Sequence, residues 1–302
     1  MNFTGTTNVA LPVANITGVE VINVRQTTAA LASTDLSLYS GVTTVNLDRS
    51  NQAATFTNLA SGGSYGVVGN ANVVNTGALA VGYVAAAKDA VLNFSGGTLG
   101  AQAITLTGTG LTSTTINSNG VANVTGAFTD AATSKSLTIN ANSGLTTGAI
   151  ADGAARTALN INATGDVTTG AVTSSVATTV AITGTGKVTT DLNLVVAPTI
   201  TVAGSGAVTL GTLNNLVSKV TSTQTAGSLT ATLGTLVTQT IVGGAGNDVI
   251  STPSLVLTTG SVDGGAGTDT LDLGTNVGNA NTTTLAAKYT NFETLRVNGT
   301  YD

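Results

Sequence analysis

A chain of 302 residues with a net charge of −5 and a sequence pI near 4.4 presents no basic face for nucleic acid, so that partner class is excluded. It has no cysteine and no histidine, which removes disulfides and the commonest nucleophile–base chemistry. Only 8% of its residues are charged and 3% aromatic, but valine and threonine are abundant beside glycine, asparagine and aspartate. Such a mixture suits strands and tight turns, whereas disorder favours high net charge. No apolar run approaches the roughly 20 residues of a membrane span. The start, MNFTGTTNVALPVANITG, lacks a basic region followed by an apolar core, so it is not a secretory signal peptide.

In chain order, residues 1–90 read as an irregular β-rich part or cap. VEVINV (19–24), VTTVNL (42–47) and YGVVGNANVV (65–74) are strands bounded by turns. The stretch 27–41 is too mixed to assign, and 78–92 reads as a strand pair or a short helix. Residues 91–240 carry a repeat: LTINANSGLTTGAI (137–150), LNINATGDVTTGAV (159–172), VAITGTGKVTTDLN (180–193) and TITVAGSGAVTLGT (199–212) align one under another. One position of the pattern runs at a near-constant interval through Phe94, Ile116, Ile139, Ile161, Ile182, Val202, Ser222, Val242 and Asp263. A period of about 20–23 residues predicts an all-β, right-handed parallel β-solenoid (β-helix or β-roll), with coils about 4.8 Å apart. Ile139, Ile161, Ile182 and Val202 would form one inward ladder, and Leu145, Val167, Val188 and Val208 another. A β-sandwich is the alternative that short strands also permit.

Residues 241–275 hold two near copies of a glycine-rich turn closed by aspartate, VGGAGNDVI from Val242 and VDGGAGTDTLDL from Val262. Glycine admits backbone close to an ion, and aspartate supplies the hard oxygen that calcium (Ca²⁺) prefers. The step from Asp248 to Asp269 equals the coil period, which stacks the two carboxylates. Stacked carboxylates repel unless a cation lies between them. The expected metal site comprises Gly243, Gly244, Gly246, Asn247 and Asp248 in the first copy, with Asp263, Gly264, Gly265, Gly267 and Asp269 in the second. The plainer alternative is a pair of ordinary Gly-Asp turns. Neither copy continues to Gly-Lys-Ser/Thr, so a phosphate-binding loop is excluded. Residues 276–302 read as a linking strand segment.

GGAGNDVIS (243–251) and GGAGTDTLD (264–272) resemble the RTX nonapeptide. NFETLRVNG (291–299) follows, and TGVEVINVR (17–25) carries a similar apolar-Glu-x-apolar-x-Val pattern. Together with the composition, these segments resemble RsaA-like, RTX-type S-layer proteins of Gram-negative bacteria. The resemblance implies a secreted, calcium-dependent subunit of a cell-surface lattice, exported by a type I system and assembled outside the cell. It also implies attachment to lipopolysaccharide through regions outside this segment. The half-coil TPSLVLTTG (252–260) carries no motif, so only one side of the roll would bind calcium. The C-terminal secretion segment of that family is not found before NGTYD, and the chain reads as one module of a longer protein.

Other function classes have weaker footing. A β-helix polysaccharide lyase needs clustered acid–base groups, but Glu20 and Glu293 fall in similar motifs and read as strand-edge or calcium-site residues. Asp35, Asp48 and Asp152 read as solvated turn residues. No catalytic residue and no organic-cofactor site is assigned, and the chain is expected not to be an enzyme. Thr146, Thr168, Thr189 and Thr209, with Thr147, Thr169 and Thr190 beside them, could form the regular array of an ice-binding face, although Leu210 interrupts the second row. An RTX adhesin segment is the nearest alternative to the surface-layer subunit.

Overall fold

Strands that recur once per coil can satisfy their backbone groups only by pairing with the same strand of the next coil, and this is what the chain does. Its structure, a computed structural model, describes residues 2–5, 15–28, 30–31, 33–70, 77–97, 100, 102–196, 198–235, 238–252, 257–275 and 277–298. The expectations for 71–74, 253–256 and 299–302 lie outside those residues. The chain divides into two compact units, Met1–Arg156 with Thr164–Gly170, and Thr157–Ala163 with Ala171–Asp302. Each is a parallel β-solenoid, consistent with right-handed winding.

In the first unit, one sheet runs through Asn2–Gly5, Val21–Gln26, Thr44–Asp48, Ser64–Val68, Asp89–Ser95, Ser113–Asn119 and Ser136–Ala141, every pair parallel. The facing sheet runs through Thr34–Asp35, Ala54–Leu59, Leu79–Tyr83, Ile104–Thr107, Phe128–Thr129 and Ile150–Ala151. The stretch 78–92 thus supplies two strands, Leu79–Tyr83 and the start of Asp89–Ser95. The described residues up to Ser95 are built from parallel coils as well, but the coil length varies. Successive register partners are Val21 with Thr44, Thr44 with Ser64 and Ser64 with Val91, a medium, a short and a long step in turn. That variation hides the period. The core of these coils also holds rings where later coils hold isoleucine and valine: Tyr65 meets Tyr83 edge-on at 5.4 Å, and its hydroxyl donates to the Gly82 carbonyl at 2.8 Å.

In the second unit, one sheet joins Ala158–Ala163, Thr179–Gly184, Thr199–Gly204, Lys219–Gln224, Thr240–Val242, Ser261–Asp263 and Tyr289–Thr290. The other joins Val188–Leu194, Val208–Thr212, Leu229–Thr232, Val249–Ser251, Thr270–Asp272 and Thr294–Arg296. Ile161, Ile182 and Val202 are successive register partners and buried, as the periodicity predicts. Each such side chain contributes about 1.5–3 kcal/mol by leaving water.

The line drawn through the sequence slips twice. Ile116 pairs with Leu92, so Phe94 stands two residues off the ladder, opposite Ser118. Val242 pairs with Thr221 rather than Ser222, because six residues (243–248) separate it from the next strand where four (225–228) did so one coil earlier. Matching sequences by their glycine turns therefore shifts the strand by one.

Alternation sends each second residue outward. Thr168 and Thr189 lie on the outer side, but Thr147, Thr169 and Thr190 are buried. The second threonine row is thus part of the core, and no double outward row exists there. An unforeseen row occupies the outer side of the first sheet. The Asn23 amide donates to Asn2 Oδ1, Asn46 to Asn23, Asn117 to Asn93 and Asn140 to Asn117, all within 2.8–2.9 Å. Gly66 interrupts it, because a Cβ there would collide with Asn46 Oδ1. No helix among the described residues is long and apolar enough to cross a membrane.

Ile182→Ala is expected to lower stability to urea by about 2–5 kcal/mol, whereas outward Thr168→Ala should change it by about 0.5 kcal/mol or less. Equal effects would contradict the inward register.

Candidate metal site at the aspartate turns

Three coils of the second unit meet at one turn. Val249, Thr270 and Thr294 are register partners, so the residues just before them, Asp248, Asp269 and Glu293, occupy one rung position. Leu229 fills that position one coil earlier. Equal spacing in the sequence places Asp248 against Asp269 but gives no sign that Glu293 extends the row. Its turn is only three residues long (291–293), against six in each glycine-rich copy. Glu20, by contrast, leads into the other sheet at Val21–Gln26, so the two glutamates do not occupy matching elements.

The carboxylates form a chain of charge-assisted hydrogen bonds. Asp248 Oδ1 accepts the Leu229 N–H at 2.6 Å, Asp269 Oδ1 accepts the Asp248 N–H at 2.7 Å, and Glu293 Oε2 accepts the Asp269 N–H at 2.7 Å. Each acid thus satisfies a backbone donor in the preceding coil, where the glycine turn has left the ladder open. Asp248 Oδ2 also accepts the Gly244 N–H at 2.8 Å. Asp269 Oδ2 is buried and has no hydrogen-bond partner.

The remaining motif residues have distinct structural reasons. A Cβ on Gly243 would strike the Gly264 carbonyl and Asp248 Oδ2, and one on Gly264 would strike the Asn291 carbonyl and the Asp269 side chain. Gly265 and Gly267 have φ of 96° and 140°, which L side chains rarely adopt. Gly244 and Gly246 lie against the Gln224 and Gly227 carbonyls of the coil before. Asn247 Oδ1 accepts the Thr268 N–H at 2.9 Å, a bond one residue before the aspartate that runs in the opposite sense, since its donor lies in the following coil. Asp263 lies across the turn, where its Oδ1 accepts the Gly265 N–H and the Asn291 amide.

Both stacked aspartates are fully buried, with 0% of their surface exposed. Burial pushes the Asp248 carboxyl up, the N–H groups of Leu229 and Gly244 draw it down, and the Asp269 charge pushes it up again. Asp269 is pushed up by burial, drawn down by the Asp248 N–H and raised further by Glu293 and Asp263. A buried carboxylate oxygen without a donor, with the Glu293 and Asp263 charges nearby, has the hard-oxygen chemistry that suits a cation such as calcium. Among the described residues no group of three or more His, Cys, Asp or Glu side chains is arranged to hold one. Backbone carbonyls and water would have to complete the shell, and the Gly244 and Asp263 carbonyls already accept one ladder bond each.

The other acids separate. Asp35 is exposed and accepts from Ser37 N–H and the Asn58 amide, which hold its pKa below the ordinary value. Asp48 pairs with Arg49 at 2.8 Å on the surface. Asp152 is half-buried, with its Oδ2 shut off from water. Comparisons with protein-family models, with curated proteins and with solved structures find no match to this chain.

Asp269→Asn and Asp248→Asn should differ. The amide introduced at 269 can keep its oxygen on the Asp248 N–H and place its NH₂ where Oδ2 has no donor. The amide introduced at 248 must set its NH₂ against a backbone N–H. Without divalent cations, Asp248→Asn should cost about 1–3 kcal/mol and Asp269→Asn little or nothing. The raised carboxyls also set the sign of pH dependence. Their penalty is present above the folded-state pKa and relieved as pH falls through it, so the cation-free wild type should gain stability relative to Asp269→Asn on acidification. Urea titrations in EGTA at two pH values measure both.

Proposed function

We propose that this chain is a calcium-stabilised structural subunit of a bacterial surface layer, secreted and assembled outside the cell, with no catalytic activity. The observation that carries this reading is the row Asp248, Asp269, Glu293, its two aspartates buried and its glutamate exposed, in which Asp269 Oδ2 has no protein donor. Repulsion along that row is relieved by a bound cation. Calcium supplies charge compensation there; the chain holds its turns by Gly243 and Gly264, its register by the Ile241–Val262 and Ile250–Leu271 pairs, and its backbone donors by the carboxylates. Binding energy at such a site becomes folding energy, so the turn region is ordered where calcium is plentiful. The S-layer assignment is supported by the similarity of 243–251, 264–272 and 291–299 to RTX-type S-layer sequences. Small side chains and low charge also suit assembly through flat faces in a lattice of copies.

Two measurements test it. For sites of about 10⁻⁴–10⁻³ M affinity, 10 mM calcium should add about 1.4–2.7 kcal/mol per site over EGTA, several degrees in Tm. Asp269→Asn should remove much of that gain. Unchanged melting in EGTA would overturn the calcium reading. Sedimentation should then show calcium-dependent self-association, while a chain that stays monomeric at high concentration favours the RTX adhesin segment.

A further inference from the structure

A second pair of aspartates stands one coil apart in the first unit. Phe128 with Ile150 and Thr129 with Ala151 are register partners, and Asp130 and Asp152 follow them directly. The Asp130 N–H donates to the Ala151 carbonyl at 3.0 Å, which continues the ladder to that rung. Here the protein itself provides a cation. Arg156 is fully buried, and its Nη2 donates to Asp130 Oδ2 at 2.9 Å. Asp130 Oδ1 accepts from Thr114 Oγ1 at 2.7 Å and from the Ala131 N–H at 2.8 Å, so that carboxylate is fully engaged. Arg156 Nε and Nη1 remain buried without partners, and so does Asp152 Oδ2 four residues earlier. A buried guanidinium has five donors to satisfy and is costly to leave half used. The unsatisfied acceptor and the two unsatisfied donors belong to one turn and have complementary charge. No ion pair with Asp248 or Asp269 occurs among the described residues, so their row has no such built-in partner.

We propose that Arg156, paired directly with Asp130 and carrying its two unused donors in the same turn as Asp152, is the built-in counter-ion of these two aspartates, and that it makes this turn independent of the calcium on which the Asp248–Asp269 turn relies. The last clause rests on the calcium reading above; the role of Arg156 does not. The two pairs solve one electrostatic problem differently, one with a tethered cation and one with an exchangeable cation. Calcium depletion would then loosen the chain at one place and leave the other closed.

Hydrogen exchange of the full chain, read by mass spectrometry with calcium and with EGTA, tests both parts. In the wild type, peptides covering 243–272 should lose protection in EGTA by about tenfold or more, and peptides covering 128–156 should not respond. Arg156→Gln should reduce protection of 128–156 by a similar factor in both buffers, while 243–272 keeps its calcium response. Asp152→Asn, a milder change should Arg156→Gln fail to fold, should reduce protection in 128–156 alone. Calcium-dependent protection of 128–156 in the wild type would overturn the proposal, as would an unaltered 128–156 in either variant. If 243–272 ignores calcium while Arg156→Gln acts as expected, the calcium reading fails and the tethered counter-ion stands.

Discussion

Parallel pairing in register, coil upon coil, is the constraint from which the rest of this molecule follows. Every residue that recurs at the coil interval faces its own kind about 4.8 Å away. Apolar side chains benefit from that neighbour, and amides can hydrogen-bond to it, but like charges repel. A chain with only 8% charged residues is what such a geometry tolerates. The unusual composition is therefore a consequence of stacking, and the few repeated charges mark places where something compensates them.

Three forms of stacking answer the constraint. Ile161, Ile182 and Val202 build a dry ladder. Asn93, Asn117 and Asn140 build a wet one, the amides of Asn117 and Asn140 each donating to the coil before. The carboxylates need a donor or a cation at every rung: backbone N–H groups serve Asp248 and Asp269 in part, and a guanidinium serves Asp130. Glycine belongs to the same logic, since at Gly243 and Gly264 the next backbone comes so near that no side chain fits.

Much of the fold was legible because the signal was a period rather than a propensity. Where the coil length held nearly constant, the Ile161–Ile182–Val202 ladder could be read directly. Where it drifted, as from Ser64 to Val91, the coils could not be recognised although the strands could. The slip at Val242 has the same origin, because a longer turn moves the strand against its motif. At the site, Asp248 and Asp269 were legible from equal spacing, but Glu293 was not, since a short turn and a longer coil carry it to the same rung. The asparagine row was present in the spacing of Asn93, Asn117 and Asn140 and could have been found by following polar positions as well as apolar ones. Arg156 could not, because nothing in its spacing announces that it reaches back to Asp130.

The hydrogen bonds of the acid row all point the same way along the chain. Leu229 has its N–H satisfied by Asp248, Asp248 by Asp269, and Asp269 by Glu293, each donor waiting on a residue of the following coil. Along this row each backbone donor is closed by the following coil, while Gly244 is closed within its own turn and Thr268 looks back to Asn247. The three bonds of the row therefore form only once the later coil is in place, after the earlier one has been synthesised. The corner behaves as a latch that closes only when the following coil arrives.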